Sequence, residues 1–578
     1  MTSPISNIPA HLKRYVVNQH YEKYSPINQA VWRYVMRQNY YFLKDAAHPY
    51  YVDGLRKSGI KIESIPKIEE MNACLQPFGW GAVSIDGFIP GVVFFDFQSH
   101  GILPIAAEIR QLEHIEYTPA PDIIHEAAGH APILCHPQYA NYVKIFGEIG
   151  RKAIATKEEH EVFEAVRTLS ALMESSNATE EDIQKAKEDL AAKQKAVTEV
   201  SEAEQISRLY WWTVEYGLIG DLQHPKIYGA GLLSSVGESA HSLTDQVKKI
   251  PFDLETAIQT GFDITQMQPQ LFVCQSFEQL ISAVQEFSTR MAFSVGGTES
   301  LFKALRSSNI VHVTYSSGLQ ATGIVSKVLC DDQGEAICFQ TDGMTAFSYG
   351  NQQLDGHYKE AHPEGIIAPI GNLQGMSKPI EQFKDDERNE WNIAPDQTCQ
   401  LVFEGGLAIR GKIQQIIQRN GKIILINFHG ADISYQGEIL RDVDSGPYTM
   451  PVGASVISVA AGAADPESYY SEEVPSPLQS ESISQREWSP LEKLYADVRA
   501  IREKNKENMD RLLNVVQELD SSFPGDWLLR LEILEIIVGL RGKWASVEKK
   551  LLLQLEQLKQ KGPEMTRLIT NGLKLIRG

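Results

Sequence analysis

Residues 121–132 read PDIIHEAAGHAP, a short, largely apolar segment that carries Asp122, His125, Glu126, Gly129, His130 and Pro132. Its two histidines are five residues apart. On an ideal α-helix five residues turn by about 140° and four by about 40°, so His125 and His130 face different ways unless the helix ends between them. Gly129 relaxes the backbone and Pro132 cannot continue a helix, so the segment is expected to stop there. His125 in the last turn and His130 at the exit would then converge on one metal ion. The zinc pattern H-E-x-x-H differs from this one by a single residue of spacing. Histidines five apart are, taken alone, an ordinary occurrence, so the flanking sequence has to decide.

Two neutral imidazoles leave a divalent ion undercoordinated. A carboxylate as third ligand would complete the two-histidine, one-carboxylate face of non-haem iron sites, leaving the opposite face open for oxygen. Glu126 follows His125 directly on the helix and is expected to point elsewhere, in a supporting position. Glu215, within the run YWWTVEYG (residues 210–217), is the better candidate. An acid in so aromatic a stretch is costly to bury without a cation, and a metal ion supplies one.

The rest of the chain sets the frame. At 578 residues it is long enough for two to four domains, and its 43% apolar content supports sizeable cores. The formal charge of -20 argues against a nucleic-acid or membrane-surface binder. Cys74, Cys135, Cys274, Cys330, Cys338 and Cys399 are scattered, with no C-x-x-C pair, which suits a reducing compartment. The opening MTSPISNIPAHLKRYVVNQHY has no apolar core of the signal-peptide kind, and no stretch approaches the roughly 18 to 20 apolar residues of a membrane span. A cytoplasmic protein is expected.

Helical periodicity dominates residues 1–310. Within them, residues 157–205 are rich in Glu, Ala and Lys and predict a solvated helical hairpin, with Thr179 and Asp182 starting its second helix. From 311 to 463 the pattern changes to β-branched runs broken by glycine. A weak repeat is visible there: Tyr315, Gly318, Leu319 and Gly323 match Phe403, Gly406, Leu407 and Gly411, and Ser348-Tyr349 matches Ser434-Tyr435. Two related β-rich modules, about 311–375 and 398–455, follow from it. Residues 464–488, acidic and rich in Ser and Pro, predict a linker. Helices are then expected over 489–578, opened by Ser489, Pro490 and Glu492 as a capping box. Their apolar positions (Leu512, Val515, Val516, Leu519, Leu531, Leu534, Ile537) suit a small bundle of its own, or packing on a partner helix or another subunit. The fold expected is multidomain α+β.

The runs YTPAPDIIHEAAGHAPIL, LYWWTVEYGL and IYGAGLLSSVGE, with SFEQLISAVQEF and MAFSV after them, closely resemble the catalytic domain of the pterin-dependent aromatic amino acid hydroxylases. The resemblance covers about residues 75–300, not the hairpin or anything beyond about 310. It implies that His125, His130 and Glu215 ligate iron. It further implies that Arg110 receives the carboxylate of the amino acid, with Tyr117, Thr118, Pro119, Gly231 and Ser234 at the same end, and that Trp211 and Tyr216 hold the substrate ring. Phe94 would stack on the pterin, with Gly87, Phe88, Glu126 and Tyr210 on the pterin side, Glu126 and Tyr210 also standing beside the reacting centre as catalytic residues. Pro104 stands where animal phenylalanine hydroxylases carry a histidine, which points to the bacterial branch, and Ser207 replaces a small apolar residue on the pterin side.

The activity so implied is hydroxylation of L-phenylalanine to L-tyrosine, in phenylalanine catabolism, with Fe(II), O2 and a tetrahydropterin (tetrahydrobiopterin or a bacterial analogue) that supplies two electrons. Trp211 favours Phe or Tyr over Trp as substrate. The alternatives are hydroxylation of Tyr or Trp or at another ring position, a zinc hydrolase with Glu126 as base, and a binding or scaffold protein without catalysis. The expected partners are the amino acid and O2, with no nucleic acid and no membrane, and self-association through the C-terminal helices.

Overall fold

The computed structural model describes residues 8–85, 89–115, 122–174, 179–264, 266–471, 487–504 and 508–577. The chain is multidomain, and its described residues combine helices with four separate sheets. Its first part is mainly helical. The long helix Pro26–Ala46 starts on a capping box formed by Ser25 and Asn28, with Pro26 in the first turn where its missing N–H costs nothing. It buries Val31, Trp32, Val35 and Met36 almost completely. Two small sheets flank this core. One orders Val16–Val17, Gly81–Ile85 and Ile102–Ala106; the other orders Lys226–Ile227, Leu218–Ile219, Gln270–Cys274 and Lys248–Pro251.

The predicted hairpin is two packed helices, Lys157–Glu174 and Glu180–Ala196, the second opened by the Thr179/Asp182 capping box. Helix Glu180–Ala196 buries none of its residues, as a solvated insertion should.

Residues 310–461 hold two antiparallel sheets. Their long strand pairs have equivalent registers: Leu319 lies opposite Tyr349 in one, and Leu407 opposite Tyr435 in the other. Gly318 (φ +92°) and Gly406 (φ +86°), just before these leucines, take left-handed turn conformations that a side chain would strain. The first sheet is not completed within 311–375. Val456–Ala461 returns after the second sheet and pairs with Ile310–Tyr315, so the two sheets are interleaved in the chain. The expected linker also begins later than read: Pro466–Tyr469 form a helical turn capped by Asp465, with Tyr469 buried. Residues 472–486 lie outside the described part.

The C-terminal helices Pro490–Glu503, Arg511–Ser522, Leu528–Ile537, Lys543–Lys559 and Pro563–Arg577 are not a bundle apart. Pro490–Glu503, Leu528–Ile537 and Pro563–Arg577 dock on the Pro26–Ala46 helix, and one apolar core runs through both parts. The seven apolar positions singled out above are all buried. At the junction Arg33, 6% exposed, pairs with Glu532 at 2.9 Å, Glu535 at 2.6 Å and Glu63, while the Tyr34 hydroxyl donates to Leu568 O at 2.7 Å. Arg33→Met removes the guanidinium that Glu63, Glu532 and Glu535 share, leaving Glu532 to Arg502 and Glu535 to Arg37 and Arg502. The variant should lose about 2 kcal/mol of stability, the scale of hydrogen bonds to charged groups. Denaturant unfolding measures it, and an unchanged midpoint would contradict the clamp. Among the described residues no helix is long and apolar enough to cross a membrane.

Candidate functional site

The helix expected to end at Gly129 does not end there. Ile124–His130 form a π-helix that runs straight into the helix Ala131–Leu134, with Pro132 in that helix's first turn. Hydrogen bonds in a π-helix join residues five apart, so His125 and His130 stack on one face without any helix end. Gly129 is needed for a different reason from the one read in the sequence. A Cβ there would sit 2.5 Å from the Ala230 carbonyl oxygen, so glycine lets the segment Ala230–Leu233 lie directly against the histidine helix. The third residue comes from a second π turn, Trp211–Glu215, which Tyr216 N closes on Trp211 O at 2.9 Å.

These elements bring His125, His130 and Glu215 together, with their side-chain donor atoms within 4.8 Å of one another. Among the described residues this is the one such group of His, Cys, Asp or Glu. Glu215 reaches His125 Nε2 with Oε2 at 3.2 Å and His130 Nε2 with Oε1 at 3.1 Å. Ser234 sets the tautomer of His125. Its hydroxyl donates to Gly231 O at 3.1 Å, so its oxygen accepts from His125 Nδ1–H at 3.2 Å, which aims Nε2 at Glu215 and leaves that nitrogen to serve as the ligand atom. His130 Nε2 and Glu215 Oε2 are buried with no hydrogen-bond partner. Two orphaned atoms of this kind, a nitrogen and a carboxylate oxygen, converging with His125 Nε2 on one spot, fit a divalent ion.

Charge supports the fit. Burial opposes ionisation of Glu215, yet His130 and His125 beside it hold the carboxyl well below the usual range. Burial likewise favours a neutral His125, but the Glu215 carboxylate outweighs it and carries the imidazole up to about 9. Glu126 does not point away from the site. Its Oε2 lies 3.7 Å from His130 Nε2, itself unpartnered, and burial raises its carboxyl above the usual range.

Arg110 is buried and gripped by Asp122, which accepts from Arg110 Nε and Nη2 at 2.8 Å each, from Arg110 N at 3.0 Å and from His125 N at 3.1 Å. Nη1 reaches Ile115 O at 3.5 Å, so one N–H on each terminal nitrogen is left over as a fork. Asp122 lies three residues before His125 and holds both Arg110 and the helix start, a part that residue type alone does not signal. Trp211 stacks between Tyr216 (centroids 4.5 Å apart, planes at 29°) and Phe262 (4.3 Å, 12°). Phe262 gave no signal in sequence. Phe94 meets Tyr210 edge-on at 5.9 Å, and the Tyr210 hydroxyl accepts from Gln98 Nε2 at 2.7 Å. Gly231 abuts the Tyr216 ring, where a Cβ would be 2.9 Å from Cε2. Gly87, Phe88, Tyr117, Thr118 and Pro119 lie outside the described residues.

A family model described as biopterin-dependent aromatic amino acid hydroxylase matches residues 13–170 and 190–296, passing over the hairpin tip. The phenylalanine-4-hydroxylase of Mesorhizobium japonicum is 30% identical over 274 residues, 47% of this chain and 83% of that protein. That of Pseudomonas aeruginosa is 30% identical over 264 residues, 46% of this chain and 84% of its own length. A crystal structure of Chromobacterium violaceum phenylalanine hydroxylase with bound iron(III) and 7,8-dihydrobiopterin aligns at 26% identity over 50% of this chain and 89% of that one, with a TM-score of 0.39.

Proposed function

The chain belongs to the biopterin-dependent aromatic amino acid hydroxylases, and on that premise we propose that it converts L-phenylalanine to L-tyrosine at an iron held by His125, His130 and Glu215. It is a phenylalanine 4-monooxygenase-like enzyme with Fe(II) and a tetrahydropterin as cofactors. The observation that carries the metal assignment is the convergence of three donors, two of them orphaned, on one buried spot. Bound iron and tetrahydropterin supply the activation of O2 and the two electrons that its second oxygen atom needs.

The chain's own residues do the rest. The free fork of Arg110 receives the substrate carboxylate, and Asp122 holds that fork rigid so that little freedom is lost on binding. Ser234 keeps His125 in the ligating tautomer, while Gly231 gives the substrate end its close backbone approach. Trp211 and Tyr216 form the wall against which the substrate ring is held, and the bulk of the Trp211 indole favours a one-ring substrate. Phe94 and Tyr210 form an edge-to-face pair for the pterin side. Glu126, buried and raised, is suited to hold a proton beside the metal. Gly87, Phe88, Tyr117, Thr118 and Pro119 keep the roles that the family resemblance implies. A zinc hydrolase has no observation in its favour, since both the five-residue π spacing and the family speak for iron.

The direct test supplies Fe(II), a tetrahydropterin and O2 with Phe, Tyr or Trp and identifies products by mass spectrometry. L-Tyrosine from L-phenylalanine, coupled to pterin oxidation, is the expected result. No hydroxylated product from any of the three would overturn the reading.

A further inference from the structure

Glu238 lies beside the site and has no part in the assignments above. It occupies the third position of the helix Val236–Ser242, whose cap Ser235 accepts from Glu238 N at 3.4 Å. That helix follows directly on the segment carrying Gly231 and Ser234, so Glu238 shares a rigid piece of backbone with the groups that abut Tyr216 and hold His125. Its side chain turns inward, and Oε2 accepts from the Tyr216 hydroxyl at 2.7 Å.

The Tyr216 ring is thereby restrained from three directions. Trp211 covers its face, Gly231 crowds its edge, and Glu238 pins its hydroxyl. A ring held only by stacking can slide along its neighbour at little cost, because offset-stacked arrangements differ little in energy. A hydrogen bond from the hydroxyl to a carboxylate removes that freedom, since it is directional and about twice as strong as a neutral one. Phe262 on the other face of Trp211 makes the effect collective: shifting Tyr216 shifts the indole, and shifting the indole disturbs the stack with Phe262. Burying a carboxylate is costly, and the hydrogen bond from the tyrosine hydroxyl, with the nearby His125 imidazole, offsets part of that cost.

We propose that Glu238 is a positioning residue which, through the Tyr216 hydroxyl, sets the ring selectivity of the aromatic amino acid pocket. The proposal rests on Trp211 and Tyr216 forming the substrate-ring wall. With Glu238 in place the stack stands at a fixed offset and the slot admits a single ring. Without it the stack loosens, single-ring substrates lose their snug wall, and two-ring substrates gain room.

The test measures kcat and KM for L-phenylalanine and L-tryptophan in Glu238→Ala, Glu238→Gln, Tyr216→Phe and the double variant Tyr216→Phe/Glu238→Ala, with iron content and thermal midpoint recorded for each. Glu238→Ala should lower the ratio of kcat/KM for phenylalanine over tryptophan by about ten-fold, mostly through KM for phenylalanine, with iron content unchanged. Glu238→Gln, which still offers an oxygen acceptor, should recover the selectivity. Tyr216→Phe should reproduce the alanine variant, and adding Glu238→Ala to it should change nothing further. An unchanged ratio in Glu238→Ala, a glutamine variant as poor as alanine, or a further loss in the double variant would each overturn the proposal. If Glu238→Ala does not fold, Glu238→Gln and Tyr216→Phe still decide: the proposal requires the first to keep the ratio and the second to lose it. Failure of the underlying site reading is distinguishable, because Trp211→Ala would then leave KM for phenylalanine unaltered.

Discussion

Glu215→Ala should bind iron poorly and lose turnover by at least on the order of a thousand-fold, since even residues that merely support metal ligands cost 10- to 100-fold when removed. Glu215 is the one anionic member of the trio and the group that both imidazoles face, at 3.1 and 3.2 Å. Alanine leaves two neutral nitrogens and a gap. It also removes the carboxylate whose negative charge would offset the ion's, so the loss is of charge as well as of a ligand. Glu215→Gln keeps the shape without the charge and should be nearly as inactive. Iron per chain by atomic absorption, read beside product formation, separates loss of the metal from loss of chemistry. Full iron content and wild-type turnover in Glu215→Ala would refute the ligand assignment.

Arg110→Lys should raise KM for the amino acid by about a hundred-fold while kcat changes only a few-fold, because lysine keeps the charge and loses the planar fork. The physical ground is the division of labour on the guanidinium. Asp122 occupies one edge with two bonds of 2.8 Å, which leaves an N–H on each terminal nitrogen for a carboxylate. An ammonium can satisfy Asp122 or the substrate, not both with the same geometry. Arg110→Met goes further and leaves Asp122 buried without its cation, so it should also lower stability by about 3 kcal/mol. Substrate titrations at saturating pterin, alongside thermal melts, distinguish the two effects. An unaltered KM in a folded Arg110→Lys would reduce Arg110 to a partner of Asp122 alone.

The candidate metal trio is legible only with its flanks. Two histidines five apart are ordinary by themselves, and it is the acid among aromatics, where burial without a cation is costly, together with the family resemblance that completes the set. How the trio converges was not legible. On α-helical geometry the five-residue spacing requires a helix end at Gly129; the structure instead widens the hydrogen bonding into a π-helix over Ile124–His130. Nothing in residue type distinguishes i→i+5 from i→i+4 bonding, because the choice is made by packing around the turn. Gly129 shows the same limit. Its presence is plain in the sequence, but the reason for it is the Ala230 carbonyl, about a hundred residues away.

Local signals were therefore readable from sequence alone. The capping boxes at Thr179/Asp182 and Ser489/Glu492 close within three residues, and the turn glycines at 318 and 406 answer to their own φ. The apolar stripes of the C-terminal helices were also plain, since periodicity specifies which face is buried. What covers that face was decided only by the tertiary structure. An apolar stripe fits any complementary stripe, and it took the three-dimensional match of Arg33 to Glu532 and Glu535 to seat the tail on the Pro26–Ala46 helix. The same holds for Asp122 with Arg110, Phe262 with Trp211 and Glu238 with Tyr216. Each pair depends on directional contact between residues brought together by folding, and a linear pattern carries no record of that direction.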